Sequence, residues 1–303
     1  MIETYRGAAS PRECDVIEHF TMAFYFDRIA QAEAAMAARF GLGDTLRAGG
    51  FTRRYDVRLA REQRAGSAFH IDSMPLDGGG HARFGHRVVN SASGQPTTWF
   101  DAHWDGVAPP AIAAATAWDG PAFAPHPELQ NPAGLVPSMA GRVQPRDLDE
   151  FDRMGLAAIV HKFSDAAVQF GAAIGLTQDY IRSARRSFSA FQLRLRIVRA
   201  PTLGESYRID TGLAHLGNTS LRYLHVMVDA NGAEIARVDR HGVQLDLDAR
   251  RPAPLAPELR ERAERLMLKW HRRPHGTLDR DLSRRGEPLG NRCHRTFHRR
   301  ILF

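Results

Sequence analysis

An internal repeat constrains this chain more than any other feature of its sequence. Residues 66–72 read GSAFHID and residues 204–210 read GESYRID. The segments that follow, 81–101 and 220–239, also match each other. Both copies place an acidic turn first, then an apolar stretch, then a train of strand-like segments. A repeat of this length predicts two similar structural units along one chain.

Each copy contains one apolar segment with helical spacing. In the first copy we expect a helix over Phe20–Phe40 that ends at Gly41, and in the second a helix over Leu156–Ala173 that ends at Gly175. Residues 191–198 read FQLRLRIV and alternate apolar with polar side chains, as a half-buried strand does. One helix followed by several antiparallel strands is therefore expected twice.

Composition divides the chain further. The stretch between the copies is rich in proline and alanine, with one short helix expected near Ile112–Trp118, and a second proline-rich break precedes a helix expected from Pro257. The predicted parts are 1–107 as copy 1, 108–145 as a Pro/Ala-rich linker, 146–250 as copy 2 and 251–303 as a basic C-terminal helix and tail.

The positive charge of the chain is concentrated at one end. The protein has 41 Lys and Arg against 34 Asp and Glu, but 13 of the basic and 5 of the acidic residues lie in 259–303. The remainder is close to neutral. Because the tail contains neither zinc-finger spacing nor an aromatic-interleaved sheet pattern, no nucleic-acid partner is expected. The tail either covers a partner or offers cations to an anionic ligand such as the phosphates of coenzyme A.

Several other classes are not expected. No apolar run is long enough to cross a membrane, and the first residues lack the apolar stretch of a secretory signal. The two cysteines, Cys14 and Cys293, are far apart, and no histidine spacing predicts a metal site. We therefore expect a cytoplasmic protein without metal or cofactor.

The helix of each copy is too apolar to lie outside, so each sheet is expected to curl around its own helix, and the two sheets to pair edge to edge. The acidic turn of copy 1 reads Asp15-Val-Ile-Glu18-His19, with Tyr25 farther on. Together these features resemble the hotdog thioesterases, in the 4-hydroxybenzoyl-CoA-thioesterase-like branch, where Asp-x-x-Gly-His precedes the central helix. Over residues 3–105 and 145–250 the resemblance implies an α+β fold, a tandem or double hotdog, with an antiparallel sheet wrapped around a helix in each copy.

The sequence departs from the pattern of that family in both copies. Glu18 stands where the family commonly has glycine, and Thr21 follows the histidine where asparagine is common. In the second copy Asp152 and Gly155 fit the pattern, but Leu156 then replaces the histidine. An alternative alignment makes Asp149 the counterpart of Asp15. The resemblance therefore implies a working site in copy 1 and a degenerate or substrate-lining one in copy 2.

Thioester hydrolysis needs a carboxylate that attacks the carbonyl or activates water, and donors that hold the developing oxyanion. A helix N-terminus supplies unpaired N–H groups. We expect Asp15 to be the carboxylate, with His19 and Glu18 assisting. The acyl group is expected along a wall formed by Phe20, Phe24 and Tyr25. The structural alternative is that Asp15 only caps the helix.

The runner-up site lies in the other copy, where a purely structural pair is the simpler interpretation. His161 and Asp165 lie one helical turn apart and would share one helix face. With Asp152 they form the alternative catalytic set.

The function expected from the sequence is hydrolysis of an acyl thioester, most simply an acyl-CoA, or an acyl group on a carrier protein. Two alternatives stay open at this point: a hydratase or dehydratase of acyl thioesters on the same fold, and a non-catalytic acyl-thioester-binding protein. The acyl chain, the choice between CoA and acyl carrier protein, and homo-oligomer formation are left open by the sequence.

Overall fold

The computed structural model describes residues 1–15, 17–110, 118–123 and 133–269. Within these ranges the chain forms two successive units of helices and antiparallel strands, followed by a short helix. The elements of the first unit are β1 (Ile2–Ala8), α1 (Met22–Arg39), α2 (Gly43–Ala48), β2 (Thr52–Leu59), β3 (Ala68–Pro75), β4 (Ala82–Asn90) and β5 (Pro96–Asp105). The elements that follow are β6 (Val136–Arg142), α3 (Leu156–Ile174), α4 (Gln178–Ala184), β7 (Arg186–Ile197), β8 (Ser206–Leu216), β9 (Ser220–Asp229), β10 (Glu234–Asp246), β11 (Arg251–Pro252) and α5 (Pro257–Arg265).

The strands of both units belong to one continuous sheet. Its order is β1-β3-β4-β5-β2-β7-β10-β9-β8-β6, and β11 pairs with β10. The two units join where β2 pairs antiparallel with β7, with Tyr55 opposite Leu195. Helices α1 and α3 pack against each other and against this sheet. The predicted edge-to-edge pairing and the predicted α+β double hotdog are therefore confirmed.

The two central helices form where the apolar spacing predicts them. Helix α1 buries Ile29, Ala32 and Met36 completely, on one face. Helix α3 ends at Gly175, whose left-handed backbone (φ 94°) closes the last turn without the steric cost that a side chain would bring. The observed helices begin and end within two residues of the expected bounds. Asn-Gly at 231–232 lies in the turn that joins β9 to β10.

The interiors of the two units differ in the size of their side chains. Aromatic residues fill the first unit, where six of them are fully buried: Phe26, Tyr55, Phe69, Phe84, Phe100 and Trp104. The largest fully buried side chains of the second unit are aliphatic: Met154, Ile159 and Ile174. The fully buried interior of the first unit is therefore built from larger side chains than that of the second.

Some expectations fall outside the described residues. The short helix expected near Ile112–Trp118 lies almost entirely there, as does the tail 271–303. The expected helix from Pro257 is present as α5. Among the described helices, none combines the length and the apolar character that a membrane crossing requires. The proposed boundaries of the four parts of the chain stay predictions.

Candidate active site

The acidic turns of the two units have the same local structure. Asp15 accepts hydrogen bonds at Oδ1 from the backbone N–H groups of Ile17 (3.0 Å) and His19 (2.9 Å). Asp149 accepts at Oδ1 from Phe151 (2.9 Å) and Arg153 (3.1 Å). The structural counterpart of Asp15 is therefore Asp149, as in the alternative alignment of the sequence, and Asp152 is not that counterpart.

Each turn holds one residue in the left-handed region. Glu18 has φ 64° and Asp152 has φ 57°, at matching positions. Side chains with a Cβ rarely adopt this backbone, whereas glycine does so freely. This geometry gives a physical reason for the glycine that related sequences commonly have where Glu18 stands. Both side chains are exposed, and Glu18 forms no catalytic contact with His19 in the described structure.

Neither aspartate caps a helix. Helix α1 begins at Met22 after Thr21, and α3 begins at Leu156 after Gly155; neither start has a side-chain cap. The Thr21 hydroxyl oxygen is buried and has no hydrogen-bond partner among the described residues. The first N–H groups of both helices are therefore available to an acceptor from outside the helix.

His19 forms a partly buried pair with a residue that the sequence did not single out. Its Nε2 lies 2.9 Å from Glu62 Oε2, and Arg64 and Arg250 approach the same oxygen at 3.4 and 3.7 Å. Burial disfavours the charge of Glu62, but the hydrogen bonds and positive charges of His19 and Arg64 outweigh it and lower the pKa of this carboxyl. Arg250 comes from the second unit, so this cluster joins the two units.

The residues expected to form the acyl wall lie in and beside the main core. Phe20 and Tyr25 are buried, with ring centroids 4.7 Å apart. Phe24 is half-buried, and its ring contacts His161 at 5.1 Å. None of the three lines the cleft beside Asp149 or the small cavity beside His225. Their role as an acyl wall stays a prediction.

The alternative set in the second unit is not assembled in this structure. No hydrogen bond or ion pair joins His161 to Asp165 among the described contacts, and Asp152 lies in the turn before α3. His161 instead packs between α1 and α3, where burial lowers its pKa although the charge of Asp165 opposes that shift. A catalytic role for these three residues also stays a prediction.

An open cleft lies beside the second turn. It has a volume of about 160 Å³ and includes Asp149, Arg153 and Leu156, the first residue of α3. Its other walls come from both units. They are the chain around the end of α2, with Phe51 and Arg53, and the residues Ile159, Ile197, Arg199 and Ala200 of the second unit. A carboxylate, a helix N-terminus and apolar walls therefore meet in one accessible space.

The cleft is rich in positive charge. Arg153 donates to the backbone oxygen of Leu46 at 3.1 Å, and its guanidinium lies over the ring of Phe151 at 5.1 Å. Arg199 is held by Glu205 (2.8 Å) and Asp229 (3.0 Å). These contacts fix the guanidinium groups without removing them from the cleft. The arrangement suits a ligand that carries negative charge outside the reacting centre.

Behind Arg53, the first unit contains a buried carboxylate. Glu33 accepts hydrogen bonds from the Tyr55 hydroxyl (2.8 Å) and from Trp104 Nε1 (2.7 Å). Burial raises the pKa of Glu33, and the charge of Arg53 and the two hydrogen bonds offset this only in part. Since Trp104, Tyr55 and Glu33 fill this interior, the cleft stays shallow on that side.

A second carboxylate anchors each turn to its helix. Glu13 pairs with Arg28 of α1 at 2.6 Å, and Asp147 pairs with Lys162 of α3 at 3.0 Å. Asp147 also accepts from the backbone N–H of Gln144 at 2.9 Å. Each turn is thus fixed relative to the helix whose N-terminus it faces.

Sequence reasoning missed several residues of this region. Glu62, Arg53 and Arg199 stand in strands or loops where charged residues are ordinary, so no local pattern marks them. Glu33 did carry a signal, because it follows Ala32 on the buried side of α1 and lies one turn from Ile29. Among the described residues, no group of three or more His, Cys, Asp or Glu is arranged to hold a metal ion.

Comparisons with known proteins agree with this architecture. Residues 143–263, which include the second turn and α3, match the family model described as the thioesterase-like superfamily. The match confirms the resemblance to thioesterases over this part of the chain. No curated protein gave a significant match.

Solved structures with the same fold extend over both units. An acyl-ACP thioesterase from Bacteroides thetaiotaomicron is 12% identical, with a TM-score of 0.59 over 78% of this chain and 96% of that one. A putative oleoyl thioesterase from Lactobacillus plantarum is 11% identical, with a TM-score of 0.60 over 80% and 96%. The 12:0-ACP thioesterase from Umbellularia californica is 13% identical, with a TM-score of 0.52 over 79% and 93%. At these identities the likeness shows the fold.

Proposed function

We propose that the protein hydrolyses an acyl thioester, and that the reaction takes place in the cleft beside Asp149. One observation carries this proposal. The aspartate of the second turn lines an open cleft, together with the uncapped start of α3. The family match to residues 143–263 includes the same turn.

The geometry suggests how the residues divide the work. The two backbone N–H groups of the turn hold Asp149 Oδ1, which leaves Oδ2 to act on a water molecule or on the thioester carbonyl. The N–H groups at the start of α3 face the developing oxyanion. The C–S bond breaks, oxygen from water enters the acid product, and the thiol takes up a proton.

The positive groups of the cleft fit the carrier arm of such a substrate. Coenzyme A and acyl carrier protein both present a phosphopantetheine arm, so Arg153 and Arg199 suit either one. Turnover rates for one acyl group, measured on coenzyme A and on acyl carrier protein, would distinguish the two carriers. We propose acyl-CoA as the substrate. Faster turnover of the same acyl group on acyl carrier protein would show instead that the carrier protein is the substrate's carrier.

Hydrolysis at the first turn is the second candidate. The observation in its favour is the His19–Glu62 pair beside the uncapped start of α1, with the unpartnered Thr21 hydroxyl. In that arrangement Asp15 supplies the carboxylate, while His19 and Glu18 stay assisting residues as the sequence predicts.

Matched substitutions distinguish the two turns. Asp149→Asn and Asp15→Asn each keep an oxygen that accepts the backbone N–H groups, so both turns should fold. We expect Asp149→Asn to lower kcat for thiol release by at least roughly 100-fold, and Asp15→Asn to lower it by less than roughly fivefold. The reverse order would assign the reaction to the first turn. Equal, near-normal rates would remove both aspartates from the mechanism.

A further inference from the structure

A small cavity under the second sheet contains polar groups without partners. Its volume is about 20 Å³, and it is bounded by α1, α3, and the inner faces of β7, β9 and β10. Its lining residues are Met22, Val160, Phe163, Ser164, Leu193, His225, Val238 and Arg240. Five of these eight residues are buried, whereas Met22, Ser164 and Arg240 are only partly buried.

The first unit has different side chains at the corresponding places of its sheet. Strand pairing puts His86 opposite Phe100 and His225 opposite Val238, so the two histidines occupy matching places. Two residues farther along each strand, on the same face, Ala102 of the first unit corresponds to Arg240 of the second. The second unit thus has smaller apolar side chains on its inner face and adds a guanidinium that the first unit lacks.

The hydrogen bonds around His225 favour a proton on its Nδ1. The Ser138 hydroxyl donates to the backbone oxygen of Ile209 (3.1 Å), so it accepts from Thr211 (2.6 Å). Thr211 has then used its hydrogen, and it accepts from His225 Nδ1 at 2.7 Å. Burial lowers the pKa of His225 to about 3, so the ring is neutral. With the proton on Nδ1, Nε2 is a bare acceptor.

Three polar groups therefore face this cavity with known character. His225 Nε2 is buried and has no partner among the described residues. The Ser164 hydroxyl donates to the backbone oxygen of Val160 at 3.1 Å, so its oxygen is free to accept. Arg240 only donates, and among the described residues its Nε has no hydrogen-bond partner and no carboxylate forms an ion pair with it.

We infer that this cavity binds a hydroxyl group of the substrate, on an aliphatic acyl chain. A hydroxyl accepts from Arg240 and donates to His225 Nε2 or Ser164 at once, which neither a methyl group nor a carboxylate does. The volume suits one oxygen atom and excludes an aromatic ring. The inference rests on the proposed thioester hydrolysis for its substrate, but not on which turn performs it.

The first test is a binding measurement that needs no turnover. Calorimetric titration of the full-length protein would use decanoic acid and its derivatives hydroxylated at the third or the terminal carbon. We expect one hydroxylated acid to bind roughly 10- to 100-fold more tightly than decanoic acid. Equal binding of all three acids would overturn the inference and leave the cavity to a water molecule.

Matched variants then locate the effect. His225→Asn keeps a donor to Thr211 and removes Nε2, and His86→Asn makes the same change in the first unit, where Ser73 is the acceptor. Arg240→Met removes the guanidinium, and Arg240→Lys restores a donor. The site is supported if His225→Asn and Arg240→Met lose the preference for the hydroxylated acid. His86→Asn should keep that preference, and Arg240→Lys should regain part of it. Preference unchanged in Arg240→Met contradicts it.

Thiol release from the CoA esters of the same acids separates this inference from the proposed function. No release from any ester overturns thioester hydrolysis of acyl-CoA but leaves the binding result standing. Release at equal kcat/KM from hydroxylated and unsubstituted esters keeps hydrolysis and overturns the hydroxyl site.

Discussion

At the scale of single residues, the two units hold their interior charged groups at different places in the fold. Glu33 is buried in the first unit with Tyr55 and Trp104, whereas the second unit keeps its charged interior group at Arg240. Buried ionisable groups are costly unless partners satisfy them. Glu33 has such partners, whereas Arg240 faces a cavity.

The raised pKa of Glu33 gives a pH-dependent contribution to stability. The folded protein retains the proton of Glu33 above the ordinary pKa of 4.5, whereas the unfolded chain loses it. The folded state therefore binds more protons, and this group reduces the free energy of unfolding as the pH rises above about 4.5. In Glu33→Gln this contribution disappears, and the amide can still accept from Trp104.

Urea unfolding of both proteins across a pH series checks this expectation. Because other titrating groups are shared, the difference between the two proteins isolates Glu33. The variant should gain stability relative to the original protein as the pH rises. A difference that stays constant with pH, or that reverses its sign, would show that Arg53 holds Glu33 ionised in the folded state.

At the scale of elements, the sequence predicts the helices and strands, which depend on the spacing of apolar residues. It predicts little of the cleft, which depends on contacts between distant parts of the chain. The spacing of Ile29, Ala32 and Met36 predicts α1, and alternation over 191–198 predicts β7, because burial of one face imposes those patterns. The Asp15 turn is recognisable from its residues. The cleft is not, because Arg53 and Arg199 come from different units and meet Asp149 only after β2 pairs with β7.

The anchor between each turn and its helix should be measurable at this scale. The Lys162–Asp147 side chains are 13% and 6% exposed, so Lys162→Met leaves a nearly buried carboxylate without its cation. We expect a loss of roughly 2–4 kcal/mol in the free energy of unfolding. The control is Arg265→Met in α5, where the pair with Glu261 is 64% and 71% exposed and should contribute less than about 1 kcal/mol. Chemical denaturation would measure both variants. If Lys162→Met and Arg265→Met lose similar amounts of unfolding free energy, the backbone N–H groups alone satisfy Asp147.

At the scale of the whole molecule, the two units share one core and one sheet. The main core cluster contains Phe26 and Ile29 of α1 together with Val160 and Phe163 of α3. The sheet is continuous because β2 and β7 pair at its centre. The repeat in the sequence predicts two similar units, but the shared core makes them parts of one structure.

Separation of the units should therefore expose both an apolar helix face and an unpaired strand. In a fragment of residues 1–107 alone, β2 becomes a sheet edge, and the side of α1 that contacts α3 meets water. We expect this fragment and the complementary fragment 108–303 each to aggregate or self-associate. When refolded together they should form a one-to-one complex that unfolds in a single transition. Analytical ultracentrifugation and thermal unfolding would measure this, and two fragments that are each monomeric and unfold cooperatively would show that the cores are independent.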